Sequence, residues 1–181
     1  AQALQIKNIT YEDDVGNYTQ QSNYEPIGIV AGFSPWNFPI MLTARKIAAA
    51  LAAGCCIIIK PAEEAPASAL ALAQALDEAG LPRGVLNMVF GDPEQISTAL
   101  INQKSVRKVS LTGSSAVGKK LAKIAADTLT PCVLELGGHA PVLVFDDADV
   151  DNVAKNLAIF KYRNAGQVCI SPSRFFIHKN I

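Results

Sequence analysis

The chain has 181 residues, 50% hydrophobic and 18% charged, and its 16 basic and 16 acidic side chains cancel to a net charge of +0. That length suits one ordinary domain, or one domain and part of another, with enough apolar content for a sizeable core. Balanced charge gives no electrostatic reason to expect nucleic acid or an anionic membrane as partner, and no apolar run reaches the ~18 residues of a membrane-spanning helix.

Residues 1 to 25 are polar, with Tyr11-Glu12-Asp13-Asp14 and Asn17-Tyr18-Thr19-Gln20-Gln21-Ser22, and carry little core; Ala1-Gln2-Ala3-Leu4-Gln5 lacks the layout of a signal peptide. Ile27 to Gly32 is a predicted strand, followed after Pro35-Trp36-Asn37-Phe38-Pro39 by a helix over Ile40 to Ala53 that stops at Gly54. Cys55 to Lys60 is a second strand, and Pro66 to Ala79 a helix ended by Gly80. Val85 to Phe90, Val106 to Leu111 and Cys132 to Leu136 are further strands, separated by helices after Pro93 and over Ser115 to Ala126. Strands alternating with long helices imply a parallel sheet with helices on both faces, and strands that read as continuously apolar fit burial on both sides. The expected fold is therefore α/β, a Rossmann-like open parallel sheet. After Gly137-Gly138 a second unit begins: strand Pro141 to Phe145, helix Val150 to Tyr162, a loop holding Cys169, and strand Arg174 to His178. The implied division is a polar segment over 1–25, a nucleotide-binding domain over 26–135 and a further, unfinished unit over 136–181.

The four cysteines, Cys55, Cys56, Cys132 and Cys169, show no zinc-ligand spacing, and a disulfide framework is unexpected in so apolar a chain. Free thiols and a reducing compartment are the simpler reading, with the cytoplasm favoured. Cys55 and Cys56 should point to opposite faces of their strand.

Five segments bear chemistry. Asn164-Ala165-Gly166-Gln167-Val168-Cys169 places a cysteine in a loop, a nucleophile or an incidental thiol. Glu135, in Leu134-Glu135-Leu136-Gly137-Gly138, ends a strand where open α/β sheets build their sites, or else caps the next element. Asn37 lies between Pro35 and Pro39, either as a fixed amide donor for an oxyanion or as a plain helix cap. Thr112-Gly113-Ser114-Ser115-Ala116-Val117-Gly118 joins a strand to a helix, with glycines for close approach and a helix N-terminus that favours phosphate. Lys60-Pro61-Ala62-Glu63 follows a strand and offers a cation and an acid to ribose hydroxyls, or forms a solvated turn.

No single segment decides the matter, but their order resembles the aldehyde dehydrogenase superfamily, succinate-semialdehyde dehydrogenases in particular, over nearly the whole chain from about residue 11 onwards. The resemblance implies that Cys169 attacks the aldehyde carbonyl, that hydride leaves the thiohemiacetal for the nicotinamide, and that water hydrolyses the resulting thioester. It implies Glu135 as general base, Asn37 as oxyanion donor together with the Cys169 backbone amide, and Lys46 as a lysine near the active centre. For the cofactor it implies Lys60 and Glu63 at the adenine ribose, Gly113 and Ser114 at the pyrophosphate and Val117 at the adenine, with Ser34 and Trp36 among the contacts. Trp36 and Phe38 are also expected to shape the substrate tunnel. Glu63 should repel a 2′-phosphate, so NAD is preferred, with NADP as the alternative. No metal site is implied. The polar segment from Tyr11 to Asn23 matches an oligomerisation hairpin, so a homo-oligomer, dimer or tetramer, is expected.

The chain departs from the family at Leu111, where Phe is common, at His139, where Lys or Asn is common, and at Ser171, where some members carry a second Cys. A downstream Glu-x-Phe-Gly-Pro segment found in the family does not occur, so the chain is expected to be shortened at both ends. The leading expectation is oxidation of an aldehyde, with semialdehydes the first candidates. The alternative is a dinucleotide-binding fragment without turnover. A reductase of acyl phosphates or CoA thioesters would not need a hydrolytic base, and Glu135 argues against it.

Overall fold

The computed structural model describes residues 2–12 and 15–181; Ala1, Asp13 and Asp14, the last two part of the polar segment read above, lie outside the described residues. Two short antiparallel strands, β1 (Ile9–Glu12) and β2 (Thr19–Ser22), pair with Ile9 opposite Ser22, and every residue in them is exposed. The main sheet comprises β3 (Ile29–Phe33), β4 (Cys56–Lys60), β5 (Leu86–Met88), β6 (Val106–Gly113) and β7 (Cys132–Leu136). All its pairings are parallel and its spatial order is β5-β4-β3-β6-β7. The chain thus winds outwards from β3 in one direction and then returns to wind in the other. The order reverses between β3 and β6, which is where open α/β sheets leave a crevice beyond the carboxyl ends of their strands.

The connecting helices are α1 (Pro39–Ala52), α2 (Pro66–Glu78), α3 (Pro93–Ile101) and α4 (Ser115–Ala126). A proline opens each of the first three, where its missing N–H costs nothing. Gly54 and Gly80 end α1 and α2 with φ of 70° and 86°, a conformation that a Cβ disfavours. Cys55 N–H then closes on the Ala50 carbonyl and Leu81 N–H on the Leu76 carbonyl.

Side-chain alternation along the strands sorts the core into two layers. Val30, Ile57 and Ile59 point to the face covered by α1 and α2, where they meet Ile47, Ala50, Leu72 and Leu76. Ala31, Phe33, Val109 and Leu111 point to the other face and meet Ile101, Leu121 and Ala125 of α3 and α4. Ile47, Ile57, Ile59, Ile101 and Val109 are among the largest fully buried side chains, each stabilising by about 1.5–3 kcal/mol.

Burial on both faces holds for β3 and β4 but not for β6 and β7. In β6, Ser110 and Thr112 share the α1 face and are half-buried; in β7, Val133 and Glu135 on that face are exposed. Helix α1 lies over β3 and β4 and stops short of β7, so this quarter of the sheet has no helical cover and its residues alternate in polarity. The strand predicted over Val85 to Phe90 contracts to β5, an edge strand that pairs with β4.

The remaining segment forms β8 (Pro141–Val144), α5 (Val150–Tyr162), a 3₁₀ turn at Arg163–Gly166 and β9 (Arg174–Ile177). β8 and β9 pair in parallel as a separate two-stranded sheet. No helix among the described residues is long and apolar enough to cross a membrane.

Candidate active site

A cleft of about 500 Å³ opens at the carboxyl ends of β3, β4 and β6, at the point where the strand order reverses. Ser34, Lys60, Glu63, Gly113, Ser114 and Val117 all line it; Trp36 does not, and stands 45% exposed on the α1 entry turn. Ser114 is the N-cap of α4, its Oγ accepting the Val117 N–H at 3.3 Å, which leaves the hydroxyl proton free to donate to an anion. Ser34 borders the cleft, but its hydroxyl is buried against Thr43 Oγ1 at 2.7 Å. Lys60, buried at the end of β4, donates to Glu63 and to the Pro61 carbonyl. Burial pulls the Glu63 carboxyl up, but the hydrogen bond and charge of Lys60, with the backbone N–H groups of Glu63 and Gly91, outweigh it and hold Glu63 below the usual carboxylate range. The cleft wall also contains Leu121 and Ile124, one and two turns of α4 beyond Val117. Their spacing places them on one helix face, a signal present in the sequence but left unused there.

Lys46 and Glu135 stand on the opposite, α1 face of the sheet, and Asn37 reaches the Cys169 loop through Gln167. Lys46, on α1, lies over Gly32 and donates to Ser110 Oγ on β6 at 3.0 Å. Desolvation lowers its pKa from 10.5 to about 8, against the nearby negative charge of Glu135, which raises it. Glu135 stands opposite Thr112 in the β6–β7 register, on the polar, uncovered quarter of the sheet. Gly137 and Gly138 then carry the chain past the Cys169 loop: a Cβ on Gly138 would lie 3.9 Å from the Cys169 carbonyl oxygen.

The helix-cap alternative for Asn37 is not what the structure shows. Phe38 occupies the N-cap of α1, with no side-chain cap. The Asn37 amide instead reaches across 130 positions of chain to donate to the Gln167 carbonyl at 2.8 Å, while its Oδ1 accepts the Phe38 N–H at 3.1 Å. These two partners settle which end of the amide is nitrogen. One Nδ2 proton is engaged and the second remains for another acceptor.

Of the four free cysteines, Cys55 is buried, Cys56 and Cys132 are half-buried, and Cys169 is exposed. Burial pushes the Cys132 thiol up, away from the reactive thiolate. The loop around Cys169 is anchored to the end of α5: Lys161 Nζ donates to the Pro172 carbonyl at 2.7 Å and Ser171 Oγ to the Lys161 carbonyl at 3.2 Å. The His139 carbonyl, to which sequence reasoning assigned nothing, accepts the Ser173 N–H at 3.2 Å and so ties this loop to the Gly137-Gly138 segment. Among the described residues no three His, Cys, Asp or Glu side chains come together as metal ligands.

The fold is an open α/β sheet of five parallel strands with a crevice where the strand order reverses. The family model for the aldehyde dehydrogenase family matches residues 1–181, and the chain belongs to that family. It is 50% identical over 156 residues to a 4-(hydroxymethyl)benzenesulfonate dehydrogenase of Comamonas testosteroni, covering 86% of this chain and 33% of that protein. It is 47% identical over 159 residues to the succinate semialdehyde dehydrogenase of Acinetobacter baylyi, covering 88% of this chain and 33% of that protein. The crystal structure of succinate-semialdehyde dehydrogenase from Burkholderia pseudomallei superposes with a TM-score of 0.93 at 46% identity, over 98% of this chain and 37% of that one. The chain spans about a third of the length of the curated relatives it matches.

Proposed function

We propose that this protein oxidises an aldehyde to its carboxylic acid, with Cys169 as nucleophile and NAD as hydride acceptor. The observation that carries the proposal is the Asn37 amide held on the Gln167 carbonyl, two residues before Cys169, with a second proton free. The Cys169 thiolate adds to the aldehyde carbon, and the oxygen that gains negative charge is met by the free Asn37 N–H, a donor fixed before the charge appears. Glu135 takes the thiol proton and later that of the water that hydrolyses the Cys169 thioester. Lys46, with a pKa of about 8, keeps its proton near neutral pH and tempers the charge of Glu135.

The cleft at the sheet's switch point fits a dinucleotide. Ser114 and the N-terminus of α4 suit the pyrophosphate, the apolar wall of Val117, Leu121 and Ile124 suits the adenine, and Glu63 and Lys60 suit its ribose. Bound there, the nicotinamide supplies the acceptor for the hydride that leaves the substrate carbon. Glu63 stays ionised, so it favours ribose hydroxyls over a 2′-phosphate and supports NAD over NADP.

Semialdehydes are the proposed substrates, supported by the semialdehyde dehydrogenases among the relatives. We assign residues 26–135 to the nucleotide-binding domain and 136–181 to part of the catalytic one. The exposed β1–β2 hairpin supports association into a dimer or tetramer, and four free thiols support a reducing compartment such as the cytoplasm. NADH formation with a panel of semialdehydes and aromatic aldehydes tests the reading: turnover abolished by Cys169→Ala sustains it, and turnover that survives refutes it. A second reading, dinucleotide binding without turnover, draws on the chain's one-third share of its relatives' length. NAD binding with no aldehyde oxidation would favour that reading.

A further inference from the structure

We infer that Arg163 and Asn164 are positioning residues that lock the nucleophile loop onto the Asn37 turn, an inference that rests on the reading of Cys169 and Asn37 above. Three hydrogen bonds form a closed circuit. Asn164 Nδ2 donates to the Asn37 carbonyl at 3.0 Å, Asn37 Nδ2 donates to the Gln167 carbonyl at 2.8 Å, and Gln167 N–H donates to the Asn164 carbonyl at 3.0 Å. Beside it the Arg163 guanidinium lies over the Phe38 ring, 5.6 Å from its centroid. The circuit joins segments 127 to 130 positions apart and includes neither Cys169 nor Glu135. Asn164 and Ala165 adopt φ of 50° and 55°, a left-handed conformation that costs a residue bearing a Cβ and that a free loop would abandon. The circuit holds the loop in that shape, and in doing so orients both the Asn37 amide and the chain leading to Cys169. Its function is to keep donor and thiol in one fixed relation.

The test uses the whole 181-residue chain and two reagents at Cys169, followed by peptide mass spectrometry. With p-nitrophenyl acetate the thiolate adds to the ester carbonyl, the oxygen carries negative charge beside Asn37, and C–O cleavage releases p-nitrophenolate, leaving an acetyl thioester. With iodoacetamide the thiolate displaces iodide at a saturated carbon and no oxyanion forms. Asn164→Gly keeps the left-handed backbone while removing the amide. It should slow Cys169 acylation about tenfold and change alkylation by less than about twofold, because only the first reaction depends on the donor's placement. Hydrogen exchange at amides 164–169 should quicken in the same variant. Arg163→Met should reproduce part of the loss and Arg163→Lys restore it. Acylation and alkylation falling in step would mean a merely structural role, and unchanged acylation with unchanged exchange would mean no lock; either overturns the inference. If the unaltered chain shows no Cys169-dependent p-nitrophenolate release, the underlying functional reading fails, and the exchange measurement alone then decides whether the lock exists.

Discussion

Asn37 and Lys46 show how a side chain's role depends on what stands opposite it. An asparagine between two prolines reads equally well as a cap or as a donor, and the cap reading falls away only because Phe38 takes the N-cap while the Asn37 amide meets the Gln167 carbonyl from the far end of the chain. Asn37→Ala should lower Cys169-dependent turnover by about 10²–10³-fold while leaving NAD binding intact, measured as kcat against the cofactor's Kd. Lys46 carries a second expectation, in pH. Below about pH 8 the folded and unfolded chains both hold its proton, and the cost of a buried ammonium is borne in full. Between about 8 and 10.5 the unfolded chain keeps a proton that the folded chain has released, so stability rises with pH across that window. Lys46→Met removes the titration. The Tm of the unaltered chain relative to this variant should therefore climb from pH 8 to 10, and a flat difference would contradict the shift. Glu135→Gln removes the charge that holds the Lys46 pKa up, so Lys46 should titrate lower still, read by its pH-dependent labelling rate.

At the level of elements, each strand-to-helix turn couples local stability to the site. Asp92 caps α3, its Oδ1 accepting the Gln95 N–H at 2.7 Å, and α3 supplies Pro93, Glu94 and Ser97 to the cleft wall. Asp92→Ala should cost about 1 kcal/mol of stability in denaturant titration and loosen that wall. Strand β7 shows the limit of reading elements singly. Its apolar content suggested burial on both faces, but Cys132, Leu134 and Leu136 face α4 while Val133 and Glu135 face a quarter of the sheet that α1 does not cover. An acid at position 135 is tolerated because its face is open.

Across the whole molecule, the cleft lies against α3 and α4 on one face of the sheet, while Lys46 and Glu135 stand on the face that α1 partly covers. Gly32 sits where the α1 face is tightly filled: a Cβ there would stand 2.6 Å from Ile59 Cδ1 and 3.2 Å from Ile57 Cδ1, both on fully buried side chains. Its backbone is ordinary for a strand, so the constraint is steric. Gly32→Ala should destabilise the chain by about 1–3 kcal/mol, seen as a lowered midpoint of unfolding, and disturb Lys46, whose stem crosses the same spot.

Alternation of β-branched runs with alanine- and leucine-rich ones, punctuated by Pro39, Gly54, Pro66 and Gly80, was enough to read a parallel α/β sheet, because proline and glycine act through local backbone sterics. The strand-end positions of Lys60, Glu63, Gly113 and Ser114 were legible for the same reason, since a parallel sheet sends its strand ends to a common edge. Sequence could not say that β6 and β7 would be left uncovered on one face, that Ser34 would spend its hydroxyl on Thr43, or that Asn37 would close a circuit with Asn164 and Gln167. Those outcomes depend on contacts between residues far apart in the chain, where packing geometry decides which of several chemically equivalent partners a polar group meets.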